Sequence, residues 1–575
     1  MVLGLFFAGC AGTQPMVATL TEESMPLAVA QSAGPAQVPV GLSADGVVLL
    51  TTDDQHAGLY LSDLAGGTTR VITRSRNAGY YPAMTPGAER VGYKLFRESA
   101  DGGFEQAAMV FDRAADCSYQ IGGWAKVAST PAFAADGRVA VMLDQRLLIV
   151  SDLTGSPKVQ SFAAPVETTT NLMAFDPSGS FLVLMAGEAN ALLVSSADGT
   201  VVQEFPPAPL PIWGPEFSPG ARRIVFSTIN GRLLVWDRDA SVWLGPVEGE
   251  SPSWQNGKEL LAVMEEGRVM RVTVAGGALV STETGRTGER WWVTRDGLIA
   301  SQKEGEIVVQ DFAKGGATKA TTKWLAAEDP APVPPSKWPE DMKDDGFGSP
   351  RTLVRTPQYT LMTGVPYVHQ VYDVPDWFDG HWACNAVTAV MCLAYWQVLQ
   401  PNVITVSRPE PRPSNFATYI CERYTAGKKS FDVGSPDPKG REAWGAYGYI
   451  VRENWRDTKN HIADYMEAHG IRSGVDWSPG ASKLRAEIDA QHPTIVLHSI
   501  TLAGHYVVAI GYLNDRQTVI TQDPYGDKNT RIYPHLDGRG ARYDLPGSNN
   551  GYQNLRIVHC FIYSRGPEPS NETPG

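Results

Sequence analysis

The stretch that decides the fold is PEFSPGARRIVFS, residues 215–227: a Pro-led apolar pair, a Ser-Pro-Gly turn, then an apolar run. The same pattern recurs upstream as VGLSADGVVLLTT (40–52), PAMTPGAERVGYK (82–94), PAFAADGRVAVML (131–143) and MAFDPSGSFLVLM (173–185). Downstream it returns as PSWQNGKELLAVM (252–264) and WVTRDGLIASQ (292–302). These seven copies lie about 42 residues apart on average. Each is followed by a second strand-like run, among them LLIVSDLTGS (147–156), ALLVSSADGT (191–200) and LLVWDRDAS (233–241). Alternating apolar residues bounded by Asp-Gly or Pro-Gly turns imply antiparallel strands joined by hairpins, with room for four short strands per unit. A repeat of that length and content is the signature of a propeller blade, because radial stacking leaves only short strand edges. Residues 38–325 are therefore expected to form an all-β seven-bladed propeller. Asp112, Asp152 and Asp237 recur at equivalent turn positions, where a carboxylate satisfies turn N–H groups.

The recurring P-x-F-S-P-D/G-G theme resembles the propeller repeats of TolB-type periplasmic proteins. That resemblance specifies a fold and not a chemistry, since propellers host unrelated activities; it implies a platform for a protein partner or substrate. Between Lys319 and Pro350 the composition shifts to Pro, Asp, Lys and Gly, and residues 326–353 read as a Pro-rich linker. A distinct α+β pattern then occupies residues 354–564, and residues 565–575 are expected to form a disordered tail.

Charge excludes one class of partner. The 575 residues carry 49 basic and 62 acidic side chains, net −13, with no Lys/Arg cluster able to track phosphates, so nucleic acid is not expected as a ligand. No uninterrupted apolar run reaches the roughly 18 residues of a spanning helix. The first residues, MVLGLFFAGC, resemble the end of a bacterial lipoprotein signal, with Ala8, Gly9 and Cys10 matching its Ala-Gly-Cys ending. The resemblance implies a signal-like segment over 1–10, lipidation at Cys10 and a flexible tether over 11–37. It also implies an extracytoplasmic protein held by a lipid at the outer membrane or cell surface. The six cysteines are too scattered for a disulfide framework or a metal site; Cys421 and Cys560 are the pair to examine in an oxidising compartment.

The chemistry sits in HWACNAVTAVMCLAYW, residues 381–396. Apolar residues at 387, 390, 391, 394 and 395 predict a helix starting near Cys384. A thiol there faces unpaired N–H groups and the positive end of the helix dipole, which favours thiolate, the nucleophilic form. The alternative is a small buried hydrophobe, as Cys392 is expected to be. A thiolate also needs an acid for the leaving amine. In GHYVVAIGYLNDRQTVITQDPYG (504–526) two strands, about 505–512 and 517–523, flank a turn at Leu513–Arg516. Pairing across it sets His505 opposite Asp523 or its neighbour, with the carboxylate on imidazole Nδ1–H. His381 is a second candidate base by proximity, and Trp377, Phe378 and Trp382 are candidate cleft walls.

VPYVHQ (365–370), the Cys384 helix, WSPGASKLRAEIDAQHPTIVLHS (477–499), GHYVVAIGY (504–512) and QDPYG (522–526) together resemble the papain-like cysteine peptidases of peptidase family thirty-nine. This family includes the double-glycine leader peptidases of bacteriocin exporters and their stand-alone secreted relatives. The resemblance implies a Cys384, His505, Asp523 triad, with Gln370 donating to the oxyanion; the Cys384 N–H and the Asn385 side chain are the other candidates for that role. No metal or organic cofactor is implied. The reading is an extracytoplasmic cysteine peptidase acting on peptides or proteins; its rivals are a silent peptide-binding scaffold and a thiol-dependent acyl transferase.

Overall fold

The computed structural model describes residues 17–20 and 37–567, apart from 54, 100–102, 166–170, 287–291, 304–305, 313–316, 324–349, 454, 456, 502 and 515–516. Cys10, most of the expected tether and linker, and residues 568–575 lie outside the described residues. The chain divides into two compact units: 1–331 with 547–551, and 332–546 with 552–575.

The first unit holds seven antiparallel sheets, each with four consecutive strands in sequence order. The recurring turn explains the repeat. The side-chain oxygen at its fourth position accepts a backbone N–H five residues on: Ser43 from Val48 (2.8 Å), Thr85 from Arg90 (3.0 Å), Asp176 from Phe181 (2.8 Å) and Ser218 from Arg223 (3.0 Å). That bond closes these four hairpins, and a conformationally free residue completes the turn, as Gly179 does at φ +74°. Asp112, Asp152 and Asp237 likewise accept N–H groups from their own turns.

Each sheet buries both faces against its neighbours. In the fourth blade counted by repeat, Leu182 pairs with Val194 and Val183 with Leu193. Leu182 packs toward Ala140 and Ile149 on one side, Val183 toward Ile224 and Phe226 on the other. Leu42 and Leu49 of the first blade cluster with Leu298, Ala300 and Val309 of the last, which closes the ring and removes the open edges. One part of the expected tether is instead structural: Val17–Leu20, rich in β-prone residues, adds a fifth strand beside Cys117–Ala125.

The main sheet of the second unit has as its path the strands β1 (Ile471–Asp476), β2 (Thr494–His498), β3 (His505–Leu513), β4 (Thr518–Gln522), β5 (Arg539–Asp544), β6 (Gln553–Asn554) and β7 (Val558–Pro567), with Tyr359–Met362 pairing onto β3 and Leu353–Arg355 onto Tyr359–Met362. They order as β1-β7-β2-β3-β4-β5-β6, with only β5 and β6 parallel. Helix α1 (Cys384–Tyr395) is buried along its whole length after Cys384 and packs on β3. A further helix, Gly445–Val451, is buried, because Ala446, Tyr447 and Ile450 all face inward.

Candidate active site

Cys384 is the first residue of α1, and Ala383 at its cap has no side chain to take up the free N–H groups of the first turn. The thiol is partly exposed, unlike Cys392, Cys421 and Cys560, which are buried. Cys421 and Cys560 are free thiols, so they do not form the pair raised by sequence. Burial pushes the Cys560 thiol up to about 12 and holds Cys392 and Cys421 well above the usual range.

His505 opens β3 and Asp523 follows the last residue of β4. His505 Nε2 lies 2.8 Å from Asp523 Oδ1, with the two residues 4% and 0% exposed. The contact differs from the sequence expectation in two respects. The cross-strand register pairs Val508 with Gln522 and breaks at a bulge between Ala509 and Gly511, so His505 has no partner on β4. Pro524 lacks an N–H and the chain leaves the sheet at Asp523, so the bond is made by side chains reaching past the strand ends. The carboxylate meets Nε2 and not Nδ1, which leaves Nδ1 available to Cys384, whose side chain is near enough to raise the His505 pKa. Burial alone would lower the His505 pKa, but the Asp523 charge and hydrogen bond, with the Cys384 side chain, raise it to about 10.

Gln370 is 1% exposed and its Nε2 donates to the Gly380 and His381 carbonyls, each at 2.9 Å. Its own N–H donates to Pro524 O at 2.8 Å. Both amide protons are thus spent on the short turn Gly380–Trp382 that precedes Cys384, and the residue ties that turn to the Asp523 loop. Asn385 is buried: its Oδ1 accepts the Ala386 N–H at 2.6 Å and its Nδ2 has no partner. The turn is held from the other side by Asp437, whose Oδ2 accepts the Asp379 N–H at 3.0 Å.

A Cβ at Gly380 would collide with the Gln370 carbonyl oxygen, so the backbones meet there only because the residue is glycine. Gly380→Ala is expected to cost about 1–3 kcal/mol of stability and to displace Cys384; thermal unfolding together with a thiol-reactivity assay checks both.

His381 is exposed, and its Nδ1 lies 2.6 Å from the Tyr525 hydroxyl, an orienting partner that sequence did not reveal. Of the aromatic wall candidates, Phe378 is in the core against Tyr447 and Trp377 packs on Trp444. Trp382, 54% exposed, stands edge-on to exposed Trp455. His369 is a buried structural histidine: burial lowers its pKa to about 4, and its Nδ1 accepts the Val371 and Tyr372 N–H groups. Two residues missed in the sequence, Tyr533 and Tyr543, direct their hydroxyls at Asp523; no spacing rule links positions 10 and 20 residues beyond a turn aspartate. Among the described residues no group of three or more His, Cys, Asp or Glu is arranged to hold a metal ion.

No curated protein matches the chain. Solved structures similar over about half of it include the following two. One is a chain of the mitotic checkpoint complex, 8% identical, TM-score 0.36, covering 49% of this chain and 93% of that one. The other is the β-propeller domain of Cps50 (Swd1) from Myceliophteria thermophila, 12% identical, TM-score 0.36, covering 52% and 99%. The fold assignment rests on the seven sheets themselves. Residues 362–544, which contain Gln370, Cys384, His505 and Asp523, match the Peptidase_C39 like family: the C-terminal unit is a C39-like, cysteine-peptidase-type domain, preceded in the chain by a seven-bladed propeller.

Proposed function

We propose that the C-terminal unit hydrolyses peptide bonds through Cys384, His505 and Asp523. The observation that carries this reading is the buried 2.8 Å bond from His505 Nε2 to Asp523, in a site where the Cys384 side chain also acts on His505. Proton transfer from Cys384 to His505 yields thiolate and imidazolium. The thiolate attacks the scissile carbonyl carbon, and the resulting oxyanion lies against the N–H groups at the uncapped start of α1. Collapse breaks the C–N bond; His505 protonates the departing amine and a thioester remains on Sγ. Water, losing a proton to His505, then hydrolyses the thioester and frees the thiol. Asp523 orients the ring and stabilises the imidazolium throughout. Gln370 supports the oxyanion by bracing the 380–382 turn, and reaches it directly only by releasing one of its two carbonyls.

The propeller is proposed as the platform for a substrate or protein partner, and the Ala8-Gly9-Cys10 ending supports an extracytoplasmic, lipid-anchored location. The test of the chemistry is selective alkylation. Iodoacetamide at mildly acidic pH is expected to modify Cys384 and to spare Cys392, Cys421 and Cys560, whose burial keeps them protonated. Peptide mapping by mass spectrometry reads the outcome; an unmodified Cys384 would count against the reading.

A further inference from the structure

Asp523 receives four donors. Oδ1 takes His505 Nε2 at 2.8 Å and the Tyr525 N–H at 2.9 Å; Oδ2 takes the Tyr543 hydroxyl at 2.6 Å. The Tyr533 hydroxyl bridges both oxygens, at 3.3 and 3.2 Å. Tyr543 is fully buried on β5; its oxygen accepts the Lys528 N–H at 3.1 Å, and its hydroxyl lies 2.6 Å from Asp523 Oδ2 against 3.4 Å from the Gly526 carbonyl, so Asp523 is its preferred acceptor. The Tyr533 ring also stands edge-on to the His505 ring, centroids 5.9 Å apart, and so limits its rotation. Burial, then the Asp523 charge, pushes both phenols well above their usual range, so both remain donors.

We propose that Tyr543 and Tyr533 are positioning residues, locking the Asp523 carboxylate in the rotamer that meets His505 Nε2 and thereby holding His505 as the proton donor facing Cys384. An acceptor with free lone pairs and room to turn makes a weaker, less directed bond; here two phenols from outside the β3–β4 hairpin remove that freedom. The other titratable groups facing His505 are Cys384 from α1, His498 from β2 and Tyr525 from the loop after β4. His498 is buried, and its burial, with the neighbouring His505, keeps it neutral. Lys528 acts on His498, while Tyr367 and His369 sense the Asp523 charge. None of these takes the place of the two phenol donors on Asp523.

The inference rests on the triad assignment, so its test separates the two. In the full chain carrying 13C-labelled histidine, the His505 ring signal is titrated by NMR, which needs no turnover. The Tyr533→Phe, Tyr543→Phe and double variants are expected to titrate at lower pH than the parent, by about one unit or more in the double variant. Turnover of a peptide substrate should show kcat reduced about tenfold or more with KM little changed, and a basic limb moved down by the same amount. Tyr533→Phe removes only the hydroxyl on Asp523 and serves where Tyr543→Phe, which also strips the Lys528 N–H of its acceptor, unfolds. His505 midpoints that coincide between parent and variants overturn the clamp; a parent with the His505 shift and no peptide turnover overturns the peptidase reading and leaves the clamp standing.

Discussion

Cys384→Ala is expected to abolish peptide turnover, a loss of at least about four orders of magnitude, while the protein folds as the parent does. The loss follows from the role: without Sγ no thioester forms, and neither His505 nor the α1 N-terminus can substitute for a covalent nucleophile. Folding is spared because the side chain is at the partly exposed start of a helix otherwise anchored by Val387, Val390, Met391 and Leu393 in the core. The controls sharpen the result. Cys392→Ala and Cys421→Ala remove buried sulfurs used for packing, so they are expected to lower stability and leave turnover within severalfold. Product mass spectrometry on parent and variants, with the parent active, distinguishes these cases; a Cys384→Ala protein that cleaves at the parent rate removes the mechanism.

Asp523→Ala is the second large effect. It is expected to lower kcat by about three to four orders of magnitude, because the imidazole loses both its orientation and the charge that stabilises its protonated form. It also strands the Tyr543 and Tyr533 hydroxyls and the Tyr525 N–H, each orphaned donor costing about 1–3 kcal/mol where water cannot reach it. The pH dependence has a definite sign. The His505 pKa rises from 6.5 to about 10 on folding, so its contribution to stability is fully present below pH 6.5 and is lost as pH rises through 10. The gap in urea resistance between parent and Asp523→Ala is therefore expected to narrow from pH 6.5 towards pH 10. A gap that stays constant or widens over that range means the His505–Asp523 pair is not the source of the shift.

The two halves of the chain were legible to different degrees. Seven blades were readable because each repeat carries its own turn; in four of them Ser43, Thr85, Asp176 and Ser218 bond to a backbone N–H five residues away, a local interaction written in adjacent residues. The helix at Cys384 was readable for the same reason, from three- and four-residue spacing. The register of β3 on β4 was not, because the bulge at Ala509–Gly511 arises where Tyr359–Met362 also pairs with β3, a segment some 150 residues earlier in the chain.

By itself, then, the sequence determined the blade count, the change from an all-β to an α+β pattern, and which cysteine heads a helix, since periodicity and turn chemistry act over a few residues. Only the tertiary structure decided which imidazole nitrogen meets Asp523, how Gln370 spends its amide, and that Tyr533 and Tyr543 close around the carboxylate. Those contacts join residues far apart in the chain, and side-chain reach, rotamer and the exclusion of water set them once the sheet has formed.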